Sequence, residues 1–166
     1  MTPLYFYYDY ACPFCKKGYE LLQEVMPSYP EFELVYVPCE ANPRPSAWGN
    51  HSDLLAAGYY IAQKQGIDIN AYHTLMFKAA LVDRVNIEDA QVLKGVVAGL
   101  VDEDTFVREL EEGTYADQVK QNNHETWGVH HFQAVPSMRI GDRYLHAVPG
   151  YGIDRELLEG FLGKLI

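Results

Sequence analysis

At 166 residues and 48% apolar content the chain has one domain's length and enough apolar side chains for a core, which excludes a disordered chain and a disulfide-dense mini-fold. A formal net charge of −10 excludes nucleic acid and anionic membranes as partners, because neutralising phosphates needs a basic surface. Three cysteines are too few for a structural disulfide framework, so a close pair among them points to catalysis or metal.

Read from the N-terminus, Met1-Thr2-Pro3 lacks a basic n-region, an apolar h-region and a small-residue cleavage site. No stretch approaches the roughly 18 apolar residues of a membrane span, so the expected location is the cytoplasm. Leu4 to Tyr8 and Glu33 to Val37 fit buried strands. Between them a helix starts near Pro13, carries Tyr19, Leu22 and Met26 on one stripe with Leu21 and Val25 beside it, and ends before Pro27. From about Asn50 to Gly128 every segment reads as helix. Asn50 or Ser52 starts the first and Gly66 stops it; Asn70 starts another through Tyr72, Leu75, Met76 and Ala79. Asn86 and Asp89 approximate a capping box, Asp102 opens a helix before Gly113, and Thr114 opens one that closes at Gly128. After Gly128 the period changes. Ser137 to Ile140, the turn Gly141-Asp142, and Arg143 to Val148 read as a hairpin, followed by a helix whose apolar face is Leu157, Leu158, Phe161, Leu162 and Leu165.

The order β-α-β, helices, β-β-α predicts an α/β chain of thioredoxin-like fold with an all-helical insertion between the βαβ and ββα halves. The expected division is residues 1–45 plus 129–166 for the thioredoxin-like part and 46–128 for the insertion. Trp48, Trp127 and the tyrosine-rich first strand are expected in the core.

Cys12-Pro13-Phe14-Cys15 sits where the first strand gives way to the helix. Unpaired N–H groups and partial positive charge at a helix N-terminus favour a thiolate, and a second thiol one turn on can resolve a mixed disulfide. Spacing alone also fits inert buried cysteines or half a zinc site, although no second C-x-x-C or H-x-x-x-H completes a tetrahedral metal set. Phe14 offers no cation to the Cys12 thiolate; Lys16 and Lys17 either supply that charge or are simply solvated. Asp9 is either a proton relay or a turn residue at the strand end, the turn being favoured because a nearby carboxylate would raise a thiol pKa. Cys39 reads as a packed thiol.

Asp9-x-x-Cys12-Pro13-x-Cys15-x-x-Gly18 resembles the active-site signature of the DsbA family, nearest its cytoplasmic FrnE-like members. Asn42-Pro43, the helical stretch with His73, Phe77 and Ala80, and the run Trp127-Gly128-Val129 leading to Val135-Pro136 are similar to that subgroup, so the resemblance covers nearly the whole chain. It departs at Ala134, where a Gly is common, and in the longer His130-His131-Phe132-Gln133 stretch. The resemblance implies that Cys12 is the nucleophile and Cys15 the resolver. It also implies that Pro136 is a cis-proline which, with Val135, faces the cysteines and holds a substrate strand; an ordinary trans proline is the alternative. The implied activity is thiol-disulfide oxidoreductase or isomerase, with no cofactor beyond a Cys12–Cys15 disulfide. Its partners would be disulfide- or thiol-containing proteins, or glutathione. Two other readings stay open: a glutathione-dependent isomerase or transferase of the kappa-class type, in which a resolving thiol has no task, and a binding module without turnover.

Overall fold

The computed structural model describes residues 1–163. β1 (Thr2–Tyr8) and β2 (Phe32–Pro38) run parallel, joined by α1 (Pro13–Val25) and a 3-10 turn at Met26–Ser28, where Pro27 ends the helix. β3 (Ser137–Ile140) and β4 (Arg143–Leu145) form the hairpin, turning at Gly141 with φ +56°. β3 lies antiparallel against β1, giving the sheet order β2-β1-β3-β4. This register brings two distant segments together. Tyr7 stands opposite Ser137, so the end of β1, which leads into Cys12, and the start of β3, directly after Pro136, meet at the same end of the two central strands.

Between β2 and β3 come α2 (Asp53–Lys64), α3 (Ile69–Leu81), α4 (Ala90–Val96), α5 (Glu103–Glu112) and α6 (Ala116–Asn123), and α6 runs into a π-helical turn at His124–Val129. α7 (Arg155–Gly163) closes the described chain and buries Leu158, Phe161 and Leu162, whereas Leu157 is exposed and Leu165 lies outside the described residues. Among the described residues no helix is long and apolar enough to cross a membrane.

Several expected boundaries move. α3 is capped by Asp68, whose carboxylate accepts the Asn70 N–H at 3.0 Å, so Asn70 lies inside the helix. α4 begins after Asp89, which accepts from Gln91 N–H, while Asn86 makes a separate local turn by accepting from Glu88 N–H. Thr114 does not open α6; its N–H returns to Glu109 O at 3.0 Å and finishes α5 behind the left-handed Gly113. Gly128 is not a helix stop either. It lies within the π turn, where a Cβ would come 3.0 Å from the His124 ring. β4 stops at Leu145, and the chain instead makes a turn closed by a bridge between Val148 and Gly152. Trp48 is not in the core: it is 82% exposed on the loop before α2.

Aromatic rings fill the space between the sheet, α1 and the helices. Tyr8 donates to the Tyr10 hydroxyl, which in turn is hydrogen-bonded to His73 Nδ1 at 2.9 Å. The imidazole lies among the rings of Tyr8, Tyr19, Tyr36 and Tyr59. Burial there pushes the His73 pKa down to about 3, against about 6.5 in an unfolded chain. Between those values the unfolded chain binds the extra proton, so this residue's contribution to stability is full above about pH 6.5 and is lost as pH falls toward 3, by up to about 1.4 kcal/mol per pH unit. Urea melts across this window are expected to show wild-type stability falling faster with acid than that of His73→Phe. Parallel slopes would exclude His73 as the source.

Candidate active site

α1 starts where it does because Cys12 has extended backbone angles (φ −102°, ψ 118°) and Pro13 follows with its φ already set for the first helical position. The Cys12 side chain therefore stands at the exposed start of the helix, half-buried, and Cys15 one turn later is fully buried. Both are free thiols. The Cys12 thiol pKa is lowered chiefly by a hydrogen bond from the Cys15 thiol, aided by the backbone N–H groups of Cys15 and Phe14; burial and the Asp9 carboxylate oppose this. The Cys15 thiol is pushed well above the ordinary range by burial and by its hydrogen bond to Cys12. The two cysteines thus differ as a nucleophile and a held-back second thiol differ.

Asp9 ties this turn to the neighbouring loop. One carboxylate oxygen accepts the Ala11 N–H at 2.8 Å, the arrangement of an Asx turn, and the other accepts the Ala41 N–H at 2.8 Å. The residue is 4% exposed, and burial raises its pKa despite these bonds and one from Ser52. Its own backbone N–H donates to Cys15 Sγ at 3.4 Å. Asp9 therefore takes the turn-forming position and also sits beside both thiols.

The Val135–Pro136 peptide bond is cis, as is Arg44–Pro45. The Cys12 thiol donates to the Val135 carbonyl at 3.7 Å, and the Pro136 ring packs on α1 at Gly18, where a Cβ would approach Pro136 Cγ to 3.0 Å. A side chain at position 18 would push the Pro136 loop away from the helix. Phe14 is half-buried and lies against Gly152, whose φ of +86° and 3.2 Å approach to the Phe14 Cβ leave no room for a side chain. Lys16 is ion-paired with Glu20 at 2.5 Å and Lys17 is exposed; neither is among the groups that shift Cys12.

An open groove of about 560 Å³ runs past Cys12, walled by Ala41, Pro43, Trp127, Gln133, Ala134 and Val135. The π turn positions Trp127, whose Nε1–H donates to Glu40 O at 2.9 Å. The structure thus brings together Cys12, Cys15, Asp9, Pro13, Phe14, Val135 and Pro136. No local pattern in the sequence marks Ala41 for this groove, and Gln133 is marked only as the end of the stretch that departs from the family pattern. Among the described residues no group of three His, Cys, Asp or Glu side chains is arranged to hold a metal ion.

Residues 4–155, nearly the whole chain, match the DSBA-like thioredoxin domain. The chain belongs to that family. No curated protein matches this DSBA-like chain in sequence. Solved structures share its fold. A 2-hydroxychromene-2-carboxylate isomerase superposes with a TM-score of 0.75 at 19% identity, covering 98% of this chain and 95% of that one. DsbA from Chlamydia trachomatis gives a TM-score of 0.72 at 13% identity, over 98% and 85% of the two chains. A thioredoxin-like oxidoreductase from Silicibacter pomeroyi DSS-3 gives 0.69 at 20% identity, over 99% and 86%. At these identities the superpositions establish the thioredoxin-like fold of the DSBA-like chain and nothing finer.

Proposed function

We propose that the protein is a thiol-disulfide oxidoreductase acting on protein or small-thiol disulfides, with Cys12 as the attacking and Cys15 as the resolving thiol. The observation that carries this reading is the asymmetry of the pair: Cys12 is half-exposed at a helix start with its pKa lowered, and Cys15 is buried beneath it with its pKa raised. The Cys12 thiolate attacks one sulfur of a substrate disulfide and expels the other as a thiolate, leaving a Cys12–substrate disulfide. Cys15 then loses its proton and attacks Cys12 Sγ, closing the Cys12–Cys15 disulfide and releasing the second substrate thiolate. Two electrons have passed to the substrate, and the reverse sequence oxidises a dithiol. The Asp9 N–H, already directed at Cys15 Sγ, is a fixed donor to the thiolate formed in the second step. The Val135 and Pro136 backbone would align the substrate strand along the groove.

Two measurements test this. Alkylation rate against pH is expected to resolve Cys12, reacting as a thiolate below the ordinary thiol range, from a Cys15 that stays protonated above it. Reduction of insulin by dithiothreitol is expected to be accelerated by the wild type and not by Cys12→Ser. A single ordinary titration for both thiols, with no acceleration, would remove the proposal's basis.

A further inference from the structure

Beyond Pro43, which it shares with the Cys12 groove, lies a second cavity of about 280 Å³ between α2, the loop after β2, and the junction of α5 and α6. Leu54, Ala57, Leu110 and Val119 give it apolar walls. Its polar lining includes two carboxylates in an unusual state. Glu40 is 5% exposed; its Oε2 accepts from Asn123 Nδ2 at 2.9 Å, but its Oε1 is buried with no partner among the described residues. Asp53 Oδ2 is 3.4 Å from Arg44 Nε, and its Oδ1 is likewise buried and unpartnered among the described residues. A buried charged oxygen without a donor is costly, and a few polar groups on apolar walls is the make-up of a small-ligand site. Arg44 and Lys120 stand exposed at the rim, and Arg44 is already engaged by Asp53 and by Glu88 at 2.9 Å. What the interior lacks is therefore a donor for Glu40 Oε1 and Asp53 Oδ1, and burial without one raises the Glu40 pKa.

We propose that this cavity binds a primary ammonium or guanidinium group on a short aliphatic stem, with the stem against Leu54, Ala57, Leu110 and Val119 and the cation against Glu40 and Asp53. The source is either a free alkylamine or the lysine or arginine side chain of a polypeptide lying in the adjoining groove.

The probes are n-pentylamine, n-pentanol and pentanoate, titrated into the whole protein near neutral pH while the backbone amide resonances of residues 40, 57, 116 and 123 are followed by NMR. Pentylamine is expected to shift these resonances, with pentanol about tenfold weaker and pentanoate without effect. Glu40→Gln should weaken pentylamine about tenfold. Ala116 lines the cavity yet is exposed at the start of α6, so Ala116→Leu should abolish binding by filling space while leaving the fold and every charge intact. Equal affinity for pentanol, preference for pentanoate, or binding indifferent to both substitutions would overturn the site. The source is assigned by the rate at which Cys12 reacts with a disulfide peptide carrying lysine or norleucine. A lysine advantage that disappears in Glu40→Gln assigns a substrate side chain; equal rates with pentylamine binding intact assign a free amine. Only this last arm rests on the disulfide-exchange reading, so failure of that reading leaves the direct titration to decide the site by itself.

Discussion

Replacing Cys15 with alanine is expected to turn the protein into a trap that accumulates reductant-sensitive covalent adducts with its substrates. Attack by Cys12 needs the helix start, the nearby N–H groups and access to the groove, all of which remain. What disappears is the thiol that would attack Cys12 Sγ from below and release the substrate. The alkylation behaviour of Cys12 should also change, since the Cys15 thiol is the largest influence lowering the Cys12 pKa. The Cys12 transition in Cys15→Ala should therefore move upward, and trapping is best carried out at mildly alkaline pH. Cys12→Ser should trap nothing and fall to the uncatalysed rate. Cys39→Ala is the control: that thiol is 1% exposed and burial holds its pKa well above the ordinary range, so its removal should leave turnover and trapping unchanged. The readout is insulin reduction together with non-reducing gels of each variant. A glutathione-dependent isomerase would tolerate the loss of Cys15, and a binding protein would tolerate the loss of both thiols. Full turnover without adducts in Cys15→Ala would accordingly move the assignment to one of those classes.

The parts of this site that the sequence discloses are those fixed by local chemistry. A C-x-x-C with proline at the second position, directly after an aromatic strand, reads as a helix start, and the period-2 run broken by Gly141-Asp142 reads as a hairpin. Val135 and Pro136 needed a family resemblance, because 123 residues separate Val135 from Cys12 and only the antiparallel pairing of β1 with β3 closes that distance. Ala41 had no signal at all, and Gln133 stood out only as part of the stretch where the chain departs from the family pattern. They reach the groove through loop geometry, one held by the Asp9 carboxylate and the other lying between the π turn and the cis peptide.

The misplaced helix starts have a common physical origin. Where two Asx residues lie within three positions, as at Asp68 and Asn70 or Asn86 and Asp89, either can accept an N–H two residues on, and composition does not say which does so at the helix start. The π turn was hidden for a different reason. One wider turn at His124–Val129 leaves the apolar pattern of a short segment nearly unchanged, and Gly128, which serves a close approach to His124, looks from sequence like a stop. Exposure of Trp48 depends on where its loop lies and not on its own character. The unpaired oxygens of Glu40 and Asp53 are still further from sequence, since being unpartnered is a property of the surroundings.

Gly58→Ala is expected to destabilise the protein by about 3 kcal/mol, although local rules predict the opposite sign. Gly58 is in the middle of α2, outside the left-handed region, so alanine there should favour the helix by roughly 1 kcal/mol. Packing decides otherwise. A Cβ would overlap the Tyr72 hydroxyl and come 2.9 Å from two ring atoms of Phe106. Neither ring can yield cheaply: both are 0% exposed, and the Tyr72 hydroxyl donates to Leu55 O at 2.7 Å. Overpacking a filled core costs about 1–3 kcal/mol, and a buried donor and acceptor separated from each other cost about 1–3 kcal/mol more, which together exceed the helix gain. The expected fall in melting temperature is roughly 6–12 °C for a domain of this size. Two companions isolate the cause. Gly95→Ala, in α4 with no heavy atom within 4 Å of the new Cβ, should stabilise by up to about 1 kcal/mol through propensity alone. Adding Tyr72→Phe to Gly58→Ala should recover part of the loss by removing the atom that clashes most, a coupling visible in a double-mutant cycle. The consequence reaches the candidate sites, because α2 also carries Leu54 and Ala57 of the second cavity and starts directly after its N-cap Ser52, beside Asp9. A neutral or stabilising Gly58→Ala in urea melts would show that α2 is not seated closely on α3 and α5, and the cavity walls built on it would have to be redrawn.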